Sequence, residues 1–247
     1  MRDPSLPSSR FGPTQPAFMT TVGTSANLPF GPRDLTRKEQ RREDLYLYRS
    51  PKLARTVAVI GALALALALE LEFNADTVGF VERPRILPCR NGEVELSFWN
   101  REQTGLERFY LLVPNAIREV DQRSRQRRHR EANDIIEAAN AAGLSLQFVF
   151  EADVLAKAAS IGTWFRMLPY VQTALTLPHR HSIQERVLEA FASQRRMTMA
   201  QIEASLTGLN AADVRAVVCT EIHSGCLVID PSKHLSRHTV VELGRNV

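Results

Sequence analysis

The sequence predicts an α/β chain: a mixed sheet flanked by helices, followed by a block of three helices and a hairpin. Three observations predict it. The run Thr56 to Phe73 has the Ala and Leu content of a buried helix. Short apolar stretches between residues 77 and 114 follow the strand period and are punctuated by Pro and Gly. From Ser182 onward, three helical periods with cap residues precede two short β-branched runs.

Length and composition fit this reading. The 247 residues suffice for one or two domains at about 100–200 residues each. With 44% hydrophobic and 23% charged residues, the chain is not wholly disordered, collagen-like or a coiled coil. Cys89, Cys219 and Cys226 show no C-x-x-C spacing, which argues against a disulfide scaffold or zinc ribbon and for a reducing, cytoplasmic setting.

Residues 1–45 read as a flexible arm rich in Pro, Ser and Gly, without the apolar core of a signal peptide. In the run Arg33 to Asp44 the acids dilute the bases, so it reads as a solvated helix start rather than an arm on nucleic acid. A helix is expected from about residue 54 to 75. Its uncharged part, Thr56 to Leu69, is short of the roughly 20 residues of a membrane span, and Glu70 and Glu72 end it, so it is a core helix. Thr77–Cys89 predicts a strand, a Pro break and a second strand. Gly92–Asn100 predicts one strand with Val94, Leu96 and Phe98 on one side, and Leu106–Pro114 a central strand.

A long helix is expected over Arg118–Gly143, then a strand at Leu144–Phe150 and helices through Leu177. Pro178 to His181 marks a joint. Beyond it come helices at Ser182–Gln194, with Ser182 and Glu185 as a capping box, at Thr198–Leu206, and at Asn210–Gly225. Strands at Cys226–Asp230 and His238–Leu243 complete the layout of a winged helix-turn-helix. The expected organisation is an arm at 1–45, a first domain at 46–178 and a winged helix at 179–247.

Only four of the 31 basic residues are Lys, and Arg suits phosphate because its planar fork donates two hydrogen bonds at once. Arg123, Arg125, Arg127, Arg128 and Arg130 crowd the expected long helix. On helical spacing, Arg123, Arg127 and Arg130 share a face, a ridge suited to sequence-blind phosphate contact; the alternative is a solvated helix face. In winged helices that read DNA, the third helix enters the groove. Here it brings only Arg215, while the wing adds Lys233, His234, Arg237 and His238, so protein docking is an equal alternative. His179 and His181 lack a third metal ligand nearby, and no phosphate loop, dinucleotide fingerprint or nucleophile elbow is present.

The run Glu70 to Leu87 resembles the N-terminal region of TnsA-type transposon endonucleases. Glu72-Phe73-Asn74, Val78, Phe80 and Arg83-Pro84 stand at the spacings of that family's phrase, and Phe148–Leu155 and a C-terminal winged helix follow in its order. The resemblance covers about residues 55–243. It implies a restriction-endonuclease-like PD-(D/E)xK fold, in which acids on one sheet edge hold Mg²⁺ and a Lys offsets developing charge. Mapped residue by residue, the helix acid falls on Ala64, the Asp of "PDF" on Ser97, and the Glu and Lys of "E-V-K" on Leu112 and Pro114. All four chemical positions are lost together, so no catalytic residue and no cofactor is expected. Mg²⁺ belongs only to an alternative in which Glu93, Glu95 and Glu107 form a displaced metal site.

The resemblance implies a catalytically inactive subunit of a transposon machinery. It would bind DNA, a DDE-type transposase in the TnsB role and an AAA+ regulator in the TnsC role, with no membrane partner. The alternatives are a divergent metal-dependent endonuclease and a winged-helix transcriptional regulator.

Overall fold

A computed structural model describes residues 28–42, 44–115, 118–120, 127–129 and 131–244. In chain order the first elements are helix α1 (Arg37–Arg42), strands β1 (Leu45–Arg49) and β2 (Thr56–Ile60), helix α2 (Ala62–Phe73) and strand β3 (Thr77–Glu82). A hairpin of β4 (Ile86–Cys89) and β5 (Gly92–Glu95) precedes β6 (Phe98–Glu102) and β7 (Glu107–Val113). A small ribbon of β8 (Arg118–Val120) and β9 (Arg127–His129) leads to α3 (Ala132–Ala141), β10 (Leu146–Phe150), α4 (Glu151–Ala156) and α5 (Ala158–Ala174). The remainder is α6 (Arg180–Ser193), β11 (Arg196–Thr198), α7 (Met199–Ser205), α8 (Ala211–Ser224), β12 (Leu227–Ile229) and β13 (Val240–Leu243).

The expected α/β class with a mixed sheet flanked by helices is present. Four strands run in the order β10-β7-β6-β3. The β3–β6 and β6–β7 pairs are antiparallel, whereas β10 lies parallel to β7, with Phe148 opposite Leu111. A parallel neighbour needs a crossover, and α3 supplies it. The sheet buries both faces. Phe80, Phe98 and Tyr110 pack with Leu67, Ala68 and Leu71 of α2 on one side. Val81, Trp99, Phe109 and Leu111 pack with Ile135 and Ala139 of α3 on the other.

Several local expectations need correction. The apolar run is not one helix: Thr56–Ile60 is strand β2, paired with β1, and α2 starts only after Gly61. The β-branched Val57, Val59 and Ile60 favour the strand, and the positive φ of 79° at Gly61 separates it from the Ala-Leu helix. Gly92–Asn100 is not one strand either. Its first half pairs with β4 and its second half with β3 and β7, so the chain turns at Leu96-Ser97. As a result Leu96 and Phe98 enter opposite cores.

The long helix expected over Arg118–Gly143 is also not formed. Residues 118–120 and 127–129 are antiparallel strands, with Val120 opposite Arg127, and helix begins only at Ala132. Helix α6 starts at Arg180 rather than after Ser182, one residue beyond the His179 cap that follows Pro178.

Segment 28–42 falls within the stretch read as a flexible arm; residues 1–27 lie outside the described residues. Leu28 lies against Gly79 of β3, where an added Cβ would sit 3.0 Å from its Cδ2. Phe30 meets Trp99 and Phe109 edge-on, at 5.4 Å in each case. Thr36 and Glu39 exchange hydrogen bonds as a capping box ahead of α1.

The C-terminal elements share one core with α2 and α5. Leu69, Phe73, Met167 and Val171 pack with Val187, Phe191, Ile202, Val217 and Val241. β13 is the centre of a three-stranded sheet, β11-β13-β12, of which the sequence suggested two strands. Thr198 and Gln201 form a capping box for α7, and Asn210 Oδ1 accepts from the Ala212 N–H at the start of α8. Gly225 ends α8 with a φ of 85°, and a Cβ there would sit 2.6 Å from Ala75 Cβ, so the turn and the close approach both call for glycine. No helix among the described residues is long and apolar enough to cross a membrane.

Candidate functional site

A cavity of about 350 Å³ lies where β6 begins and β7 ends. Its floor is Ser97, Phe98 and Leu112, one wall is Val59, Ile60 and Ala64, and the other carries Leu35, Glu39, Glu82, Arg83 and Glu95. The turn at Leu96-Ser97 brings Ser97 beside the last residues of β7. Its N–H donates to the Tyr110 carbonyl at 2.8 Å, and its hydroxyl oxygen accepts from the Leu112 N–H at 2.9 Å. Three positions chosen far apart in the sequence, Ala64, Ser97 and Leu112, therefore border one space. Pro114, the fourth, follows directly on β7 and does not line it.

The carboxylates around this space are held by arginines. Arg55 grips Glu82 with both terminal nitrogens, at 2.8 and 2.6 Å, and the Ala58 N–H adds a third donor. Arg33 donates through Nε to Glu95 and through a terminal nitrogen to Glu39 at 2.6 Å. The Arg33 guanidinium and the Thr36 hydroxyl and N–H hold Glu39 down to about 2. Arg83 has a positive φ of 48° and donates to the main-chain carbonyls of Arg33 and Ala58, at 3.1 and 2.7 Å. Burial pulls its pKa down, while Glu82 and Glu95 oppose that shift. Arg33 and Arg55 pair directly with the three glutamates, and Arg83 adds a further positive charge beside them.

The acids of the alternative metal site are distributed differently. Glu95 is engaged by Arg33, and Glu93 is an exposed residue of the β4–β5 hairpin. Glu107 begins β7, five positions before Leu112, and accepts from Arg101 and from Trp99 Nε1 at 3.1 Å. Among the described residues, no group of three His, Cys, Asp or Glu side chains is arranged to hold a metal.

The expected DNA-contacting residues fall into four groups. Arg123, Arg125 and Arg130 lie outside the described residues. Arg127 and Arg128 belong to β9, so the helical-face grouping with Arg123 and Arg130 does not apply. Arg215 is half-buried and already engaged: it donates from Nε to Glu203 at 3.0 Å, and its guanidinium lies 5.9 Å from the Tyr170 ring centre. Lys233 and Arg237 are largely exposed beside Asp230 and Glu203. Lys233 also lines a second cavity, of about 530 Å³, with Arg196, His234 and His238.

Helix α8, the element expected to enter a groove, is the most enclosed helix of the C-terminal half. From Val214 to Ile222 every residue except Arg215 is buried. It packs on α5, α6, α7, β12 and α2, and presents no continuous face to a groove.

A further charged group joins the two halves of the molecule. Glu72, at the end of α2, has no solvent exposure. It accepts from Ser50 Oγ and from the Lys52 N–H at 2.9 Å, and lies 2.8 Å from His223 Nε2 on α8. Burial alone would raise its pKa, but His223 and these donors outweigh it and hold the carboxyl below the usual range. Burial lowers Lys52 to about 8, although its amine donates to the carbonyls of Asn74 and Thr77. The sequence marked Glu72 as one of the acids ending the apolar run and as part of the TnsA-like phrase, not as a buried charge. The signal was a carboxylate at the end of a helix otherwise apolar all round, which needs a buried partner.

No protein-family model matches the chain, and no curated protein matches it.

Proposed function

We propose that the chain is a catalytically inactive TnsA-like subunit that binds DNA, transposase partners, or both, during transposition. The observation that carries this reading is the convergence of Ala64, Ser97 and Leu112 on one cavity. Each was mapped separately onto a metal-binding acid. The resemblance implies that these three positions lie together at one edge of the sheet, and they do. Their replacement by Ala, Ser and Leu, with arginines on the neighbouring glutamates, fits a scaffold whose chemistry has been lost.

On this reading the four-stranded sheet with α2 and α3 is the restriction-endonuclease-like unit, within residues 46–178. Residues 179–247 are a winged helix to which β11 adds the third strand. Its third helix is enclosed, so the wing residues Lys233 and Arg237 supply the DNA contact. The arginines between 118 and 130 add a salt-sensitive attraction for phosphate that is blind to sequence. Partners would be a TnsB-like transposase and a TnsC-like regulator.

The test is duplex binding and cleavage by the full chain across a salt series, with and without Mg²⁺ or Mn²⁺. The expected result is binding that weakens steeply with salt and no cleavage. Metal-dependent cleavage lost in Glu95→Ala would overturn the reading in favour of a relocated active site.

A further inference from the structure

We propose that residues 28–39 form a displaceable strap, latched by Arg33, that closes the cleft against DNA. The inference rests on the functional reading above, because that reading makes the cavity the remnant of a phosphate-binding edge.

The strap is attached at three points of different chemistry. Leu28 and Phe30 are apolar pins, on Gly79 and on the Trp99–Phe109 pair. Arg33 and Arg83 exchange hydrogen bonds: the Arg33 N–H donates to the Arg83 carbonyl, and Arg83 Nε donates back to the Arg33 carbonyl, each at 3.1 Å. The Arg33 guanidinium then bridges Glu95 of the hairpin to Glu39 of the strap's own helix. Beyond this latch, Leu35 and Glu39 form part of the cavity wall.

With the strap in place, a phosphate approaching Ser97 meets Glu39, Glu82 and Glu95, and the guanidinium of Arg33 is already engaged. With the strap displaced, Arg33 and Glu39 leave together, and Arg83, which lines the cavity, loses the Arg33 carbonyl as acceptor and is free to pair with phosphate. The latch is weak enough to open: the Arg33 side chain is 30% exposed, and ion pairs at such positions are individually small. The positive φ of 48° at Arg83 lies at the end of β3, where the strap's main chain is hydrogen-bonded to the sheet.

The experiment uses the full chain and a random-sequence DNA duplex, with Arg33→Ala and Gly79→Ala as variants. Arg33→Ala removes a positive charge, so a purely electrostatic role predicts weaker binding. Release of the strap predicts the reverse, roughly three- to tenfold tighter binding, since apparent affinity scales with the competent fraction. Gly79→Ala crowds the Leu28 side chain, whose Cδ2 would lie 3.0 Å from the added Cβ, without altering charge, and should shift affinity the same way. In both variants, amide hydrogens of residues 28–36 should exchange faster before DNA is added.

Faster exchange with unchanged or weaker binding overturns the strap while leaving the functional reading intact. Unchanged exchange also overturns it, because the latch would then not hold the strap. If neither the native chain nor the variants bind duplex at low salt, the functional reading fails and the strap falls with it.

Discussion

Replacing His223 with Ala should destabilise the protein by about 3 kcal/mol, because the imidazole supports a carboxylate that has no access to water. Glu72 is fully enclosed and has His223, Ser50 and the Lys52 N–H as partners. Loss of one partner from a buried charged pair costs about 3–5 kcal/mol, and leaving a buried group short of a hydrogen bond costs about 1–3 kcal/mol. Two neutral donors remain on Glu72, which places the expected value where these ranges meet. The ring also meets Phe73 edge-on at 5.2 Å, and Phe73 stacks on Trp164 at 5.0 Å, so some packing is lost with it. Urea unfolding followed by tryptophan fluorescence reads the change. A cycle with Glu72→Gln should give a coupling of about 1–3 kcal/mol. A loss below about 1 kcal/mol in His223→Ala, with no coupling, would refute the argument that this contact ties α2 to α8.

Two further outcomes follow from the same structure. Lys52 titrates near 8 when folded, below its ordinary 10.5; the unfolded chain binds more protons between these values, so stability should rise with pH across that window. Denaturant titrations of the native chain and Lys52→Met should show the rise only in the former. A fragment of residues 179–247 should lack a cooperative unfolding transition by circular dichroism, since α8 would lose its contacts with α5 and α2; a sharp transition would show that this block is independent.

The sequence carried the class of the fold and the order of its main elements. Alternation and Pro positions marked β3, β4 and β7, and Thr198, Asn210 and Gly225 marked helix ends that the structure retains. What it concealed lies mostly in pairing. Nothing local says that Gly92–Asn100 changes partners at Ser97, because the change is imposed by β3, β4 and β7, which are distant in sequence. The same holds for residues 118–120 and 127–129, where residues expected in a helix pair as strands. Alanine and leucine obscured the division at Gly61, although Val57, Val59 and Ile60 carried the strand preference.

The candidate cavity was partly legible. A resemblance along the chain singled out Ala64, Ser97 and Leu112, and the fold brings them together. The arginines around them were not foreseen. Arg33 lies 62 positions from Glu95, and Arg55 lies 27 from Glu82, so no local spacing links them. The enclosed state of α8 was equally hidden. Part of its burial comes from α5 and α2, which precede the C-terminal block in sequence.

The central claim is that this cavity is a nuclease metal site without its acids. The most direct measurement is Mn²⁺ binding by calorimetry to the native chain and to the variant Ala64→Glu, Ser97→Asp, Leu112→Glu, Pro114→Lys, with circular dichroism to verify that both are folded. The account predicts about one Mn²⁺ bound per folded variant chain and none at this site in the native chain. A folded variant that gains no Mn²⁺ binding would contradict it, as would a native chain whose own Mn²⁺ binding is lost in Glu95→Ala.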